Sequence, residues 1–235
     1  MSTFLLVHGA WMGAWCWDKV ILHLQNAGHK VVAQDLPGHG QDQTPIAEIS
    51  LQAYTERIIS LLDASAEPVV LVAHSMGGIV ISQVAEARPD KIKSLVYLTA
   101  YLLPDGQSIL SSSDSDSQIP TILEIRQAEG VAALNAEGMP AVFFDDCSQE
   151  DIDLALSHLR PDSLAPLATP VAVTEDNFGR VPRFYIECLQ DRAISPTKQR
   201  EMYTGLPCQK VVSLNSSHSA FLSRPAELAE HLLAF

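Results

Sequence analysis

The chain has 235 residues, of which 47% are apolar and 18% charged, and a formal charge of −13 at pH 7. This length and composition fit one globular domain, or one domain with an insertion, and exclude a disordered or fibrous chain. The negative charge disfavours nucleic acid and anionic membrane as partners, and no run reaches the ~18 apolar residues of a membrane span.

The first predicted strand is Thr3–Val7, TFLLV; no basic segment precedes it, and its apolar run is too short for a secretory signal. A second strand, Lys30–Gln34, runs into the turn DLPGHG. Ser50 is placed to cap a helix whose residues Leu51, Tyr54, Ile58, Leu61 and Leu62 share one face. A third strand, Pro68–Ala73, ends at His74-Ser75-Met76-Gly77-Gly78, with a helix from about Ile79, and a fourth strand spans Ile92–Thr99.

The rhythm then breaks. Residues 104–182 hold no strong strand, open on the solvated loop SSSDSDS, and contain a helical piece at Ser148–Leu159 with Ser148 and Asp151 as a capping box. This interval is expected to be a helical cap over a core made of residues 1–103 and 183–235. A fifth strand, Arg183–Leu189, precedes Ser195-Pro196, which reads as the start of a helix. A sixth, Gln209–Leu214, precedes a last helix at Pro225–Leu233. Continuous apolar strands alternating with helices predict an α/β fold: a mostly parallel sheet of about six strands, covered on both faces. Cys16, Cys147, Cys188 and Cys208 form no C-x-x-C pair, so free thiols and a soluble cytoplasmic protein are expected.

The chemistry concentrates where strands end. Ser75 lies between a buried strand and a helix, with Ala73 and Gly77 as second neighbours, which is the G-x-S-x-G nucleophile turn with alanine first. Large side chains at those flanking positions would collide where strand and helix cross. A serine hydroxyl needs a base, and the base needs an orienting carboxylate. His218, shortly after the sixth strand, and Asp191, just past the fifth, supply both. All three sit at strand C-termini, which face one crevice in a parallel sheet, and they occur in the order Ser, Asp, His. The Met76 N–H, at a helix start, and the Ala10 N–H, in the loop after the first strand, are the expected oxyanion donors. Gly9, Trp11 and His74 are the candidate substrate contacts. Pocket walls are sought among Leu123, Val142, Phe143, Phe144, Leu164, Leu167 and Phe178. No H-E-x-x-H, phosphate-binding G-x-x-x-x-G-K or dinucleotide fingerprint occurs, and neither metal nor cofactor is called for.

FLLVHGAW, DLPGHG, AHSMGG, LQDRAISP and SSHSAFLSRP together resemble the α/β-hydrolases, and more narrowly the plant hydroxynitrile lyase and salicylate methyl-esterase group with its bacterial relatives. The resemblance covers both ends of the chain and is weak in the insertion. It implies no cofactor, a helical cap forming much of the pocket, and a triad of Ser75, His218 and Asp191. The lyases of that group carry threonine where this chain has Gly9, and lysine where it has Ser219. The departure favours hydrolysis of a small carboxylic ester over cyanide release. Cyanohydrin cleavage and a slow-turnover small-molecule receptor remain the rival readings, and amide or lactone hydrolysis would use the same residues. Whether the chain forms a homodimer is left open.

Overall fold

The computed structural model describes all 235 residues. Six parallel strands form the main sheet: β1 (Thr3–Val7), β2 (Lys30–Ala33), β3 (Val69–Ser75), β4 (Ile92–Ala100), and, after the insertion, β8 (Arg183–Cys188) and β9 (Lys210–Leu214). Every residue of β3 is buried, as are all of β4 but Lys93, so these central strands carry apolar residues on both faces. The six predicted strands thus appear where expected, to within a residue or two at their ends.

Helices connect them. They are α1 (Asp18–Asn26), α2 (Leu51–Asp63), α3 (Gly77–Ala87), α7 (Pro196–Gly205), α8 (Ala220–Ser223) and α9 (Pro225–Leu233). In α2, Leu51, Tyr54, Ile58 and Leu62 face the core, and the Ser50 hydroxyl accepts the Ala53 N–H at 3.0 Å. Ser195 caps α7 in the same way, accepting from Lys198 at 3.1 Å, and its own hydroxyl donates to Asp114 at 2.7 Å. That second bond ties α7 to the serine- and aspartate-rich loop.

The strand order is β2-β1-β3-β4-β8-β9. From β1 the chain first crosses one way to β2, then back past β1 to β3. Right-handed crossovers put α1 and α2 on opposite faces, where α1 packs with α9 and α2 with α3. The reversal makes the carboxyl ends of β1 and β3 a topological switch point, where open parallel sheets leave a crevice. Gly9–Trp11 and Ser75–Met76 lie there because of strand order alone.

The insertion is not purely helical. Besides α4 (Met139–Phe143), α5 (Gln149–His158) and α6 (Leu164–Ala168), it holds an antiparallel sheet of β5 (Leu123–Arg126), β6 (Val131–Leu134) and β7 (Asp162–Ser163). β5 and β6 form a hairpin whose turn closes on Gly130 at φ +66°, a left-handed conformation that glycine adopts without strain. Segments of four and two residues are too short to show a period in sequence. The cap predicted at Ser148 is present, accepting the Asp151 N–H at 3.2 Å, although Asp151 takes the Ser148 hydroxyl rather than reaching back to its amide.

Ser50→Ala should cost about 1 kcal/mol in urea unfolding, the usual worth of an N-cap. Ser195→Ala should cost more, because the bond to Asp114 goes with the cap.

Candidate active site

Ser75 ends β3 with φ +53°, a left-handed conformation that is strained for a residue with a Cβ. Its carbonyl accepts the Tyr101 N–H at 3.0 Å, and the chain turns at once into α3. The turn tolerates no bulk. A Cβ on Gly77 would lie 2.7 Å from the His8 carbonyl oxygen, and one on Gly78 would lie 2.3 Å from that of Tyr101. The same added atom on Gly77 would stand 3.3 Å from the Ala73 Cβ. Alanine therefore fits the first small position because the second has no side chain.

Asp191 follows β8 and His218 follows β9. The His218 Nδ1–H donates to Asp191 Oδ2 at 2.6 Å, and both side chains are fully buried. Thr99, near the end of β4, donates its hydroxyl to the same oxygen. The other carboxylate oxygen accepts the N–H groups of Ala193 at 2.7 Å and Ile194 at 2.9 Å. Asp191 is thus held from three sides before it holds the imidazole. With Nδ1 donating, His218 Nε2 presents its lone pair, and that buried atom has no hydrogen-bond partner. The Ser75 hydroxyl is not bonded to it.

His74 joins the two halves of the site. Its Nε2–H donates to the His218 carbonyl at 3.0 Å, and its ring lies 4.4 Å from that of His218 and edge-on to Phe221. Burial, with the nearby His218, pushes its pKa well down, so it is neutral. It is fully buried, as His218 is, and its hydrogen bond supports the His218 loop. Gly9 packs where a Cβ would stand 2.8 Å from both His74 Nδ1 and Ser75 Cβ. The Ala10 and Met76 N–H groups donate to no protein acceptor.

Trp11 is 7% exposed and has φ +63°. Its indole N–H donates to the Ala132 carbonyl of β6 at 2.9 Å, and its ring stands edge-on to Phe143. Phe143 in turn stands edge-on to His218 at 5.3 Å. Of the wall candidates, Phe143 reaches the site, whereas Phe178 lies under the Arg183 guanidinium at 4.7 Å.

Several participants escape a reading of sequence. Thr99 carries no signal beyond being a threonine at a strand end. A second buried pair lies behind the loop after β1. His39, in the DLPGHG turn, bonds through Nε2 to Asp162 Oδ2 at 3.1 Å, and the Tyr54 hydroxyl donates to Oδ1 at 3.1 Å. Burial disfavours charge on both partners. For His39 the charge of Asp162 and the bond to it outweigh burial and raise its pKa. For Asp162 the charge of His39, with three N–H and ring donors, lowers it. His8, whose ring lies 4.8 Å from that of His39, is pushed down to about 3 by burial and stays neutral.

A model of the alpha/beta hydrolase family matches residues 4–231. The chain belongs to that family. Methylesterase 2 of Arabidopsis thaliana is 35% identical over 98% of this chain and 94% of its own length. A longer chloroplastic Arabidopsis relative, 34% identical, is matched by 99% of this chain over 63% of its own length. Among solved structures, a pyrethroid hydrolase from Sphingobium faniae superposes with a TM-score of 0.90 at 29% identity, covering 100% of this chain and 96% of that one. Polyneuridine aldehyde esterase gives 0.89 at 30% identity, over 100% of this hydrolase and 98% of that chain.

His39→Gln should destabilise the hydrolase by about 3–5 kcal/mol near neutral pH, since it leaves a buried carboxylate without its counter-charge. A raised folded pKa stabilises fully below the unfolded value and loses that effect as pH rises through the folded one. The gap between wild type and His39→Gln in urea melts should therefore narrow as pH is raised through the His39 titration.

Proposed function

We propose that this alpha/beta hydrolase cleaves small carboxylic esters, methyl esters foremost, through an acyl-enzyme on Ser75. The observation that carries the reading is the unpartnered lone pair of His218 Nε2, buried beside the serine turn, with Nδ1–H locked on Asp191. A buried acceptor without a donor is costly unless a donor arrives in use. The Ser75 hydroxyl is the donor we assign to it.

Ser75 Oγ attacks the ester carbonyl as its proton passes to Nε2. The tetrahedral oxyanion takes the free N–H groups of Ala10 and Met76, the latter at the start of the 11-residue α3, whose dipole adds positive potential. Collapse breaks the carbonyl–alkoxy bond, and His218 returns its proton to the departing alcohol. Water, deprotonated by His218, then releases the acid and restores the Ser75 hydroxyl. Asp191 keeps its charge throughout and stabilises the imidazolium.

The names of the relatives, a methylesterase and esterases, support this substrate class. Gly9 argues against the cyanohydrin reading, because a threonine there would clash with both His74 and Ser75 on this backbone. With Ser75 8% exposed and His218 fully buried, we assign residues 104–182 the role of a lid over the core of 1–103 and 183–235. The four unpaired cysteines suit the cytoplasmic location we infer.

Ser75→Ala should abolish turnover of p-nitrophenyl acetate and of small methyl esters while keeping the wild-type circular dichroism. A sulfonyl fluoride should leave one adduct, mapping by mass spectrometry to Ser75. Asp191→Asn should lower kcat by about 10⁴-fold. Undiminished hydrolysis by Ser75→Ala, or faster cleavage of mandelonitrile than of any ester, would reject the assignment.

A further inference from the structure

The carboxylate of Asp162 is 1% exposed and lies in β7 of the cap sheet. A buried charge persists only when its lone pairs are satisfied. Here four segments satisfy it. Oδ1 accepts the Tyr54 hydroxyl from α2 at 3.1 Å and the Ser163 N–H at 2.7 Å. Oδ2 accepts from His39 Nε2 at 3.1 Å and from the Trp11 backbone N–H at 3.1 Å. The last of these bonds reaches the loop that carries the Ala10 amide.

That loop needs restraint. Trp11 holds a left-handed φ of +63°, which costs a residue with a side chain of order 1 kcal/mol or more and survives only where surroundings impose it. Its hydrogen-bond partners are all on the cap. Besides the Asp162 bond, the Arg160 N–H donates to the Trp11 carbonyl at 3.1 Å, and the Trp11 indole bonds to Ala132. The Ala10 carbonyl and the Trp11 N–H belong to one rigid peptide plane. Fixing that N–H holds one of the two peptide planes that meet at the Ala10 Cα, and so restricts the directions open to the Ala10 N–H.

We propose that Asp162, held by His39 and Tyr54, is a positioning residue for ester hydrolysis: through the Trp11 N–H it aims the Ala10 amide at the developing oxyanion. The inference rests on the hydrolase reading above. It adds that part of the oxyanion site is set from the cap, by a residue that never touches substrate. A carboxylate outperforms an amide in this place because each of its oxygens accepts two donors, whereas an amide nitrogen accepts none.

The test compares kcat, KM and inhibitor affinity in Asp162→Asn and wild type. A trifluoromethyl ketone, which adds reversibly to a serine hydroxyl and bears an oxyanion, probes the tetrahedral state. A non-reactive ketone of the same shape probes ground-state binding. Asp162→Asn should lower kcat at least 10-fold with KM changed less than threefold. The trifluoromethyl ketone should weaken in step with kcat/KM while the plain ketone binds as before. Tyr54→Phe removes one bond and keeps the charge pair. It should lower kcat two- to fivefold with KM unchanged, and it serves as the test if Asp162→Asn does not fold. Wild-type kcat and trifluoromethyl ketone affinity in folded Asp162→Asn would overturn the proposal; so would parallel loss of both ketones, or, where Asp162→Asn fails to fold, an unchanged Tyr54→Phe. A wild-type enzyme that hydrolyses no ester would instead overturn the hydrolase reading itself.

Discussion

The 2.6 Å bond between His218 and Asp191 is the interaction around which the rest of the molecule is arranged. An imidazole can take a proton from a hydroxyl only if one tautomer is imposed on it, and a dry carboxylate imposes it. Keeping that carboxylate ionised in a buried place requires donors. Thr99 and the amides of Ala193 and Ile194 provide them, from the end of β4 and the turn after β8. Parallel pairing of β4 with β8 brings those two strand ends together. The sheet is thus not merely a scaffold near the site; its register brings together the donors that hold the Asp191 carboxylate against His218.

How much of this was legible in sequence depended on whether a residue's partners could be inferred from strand order. TFLLV, VVLVA and IKSLVYLT announce buried strands because both of their faces must be apolar. Ser75 ends one of these strands, and Asp191 and His218 come just after the last two strands of the sheet, so the rule that strand C-termini face one crevice makes candidates of all three. Thr99 obeys the same rule but lacks a distinguishing chemistry. His39, Tyr54 and Asp162 obey none: they meet from a turn, a helix face and a two-residue strand, 15 to 123 positions apart, and only the folded cap unites them. His74 shows a different limit: its place beside Ser75 in the chain gives no sign that its ring bonds to the His218 carbonyl, 144 positions away.

Glycine placement shows how tightly backbone approach is controlled at the switch point. Gly9, Gly77 and Gly78 each occupy a place where the next carbon atom would meet protein at 2.8 Å or less. Their value lies in distance rather than in flexibility: the loops after β1 and β3 approach each other closely because no side chain stands between them.

Trp11 spans the boundary between core and lid, bonded to Ala132, Arg160 and Asp162 on the far side. Replacing residues 104–182 as a block would therefore remove every partner of Trp11 named above, and a substitute segment would have to bring its own acceptor for the Trp11 N–H to the same spot.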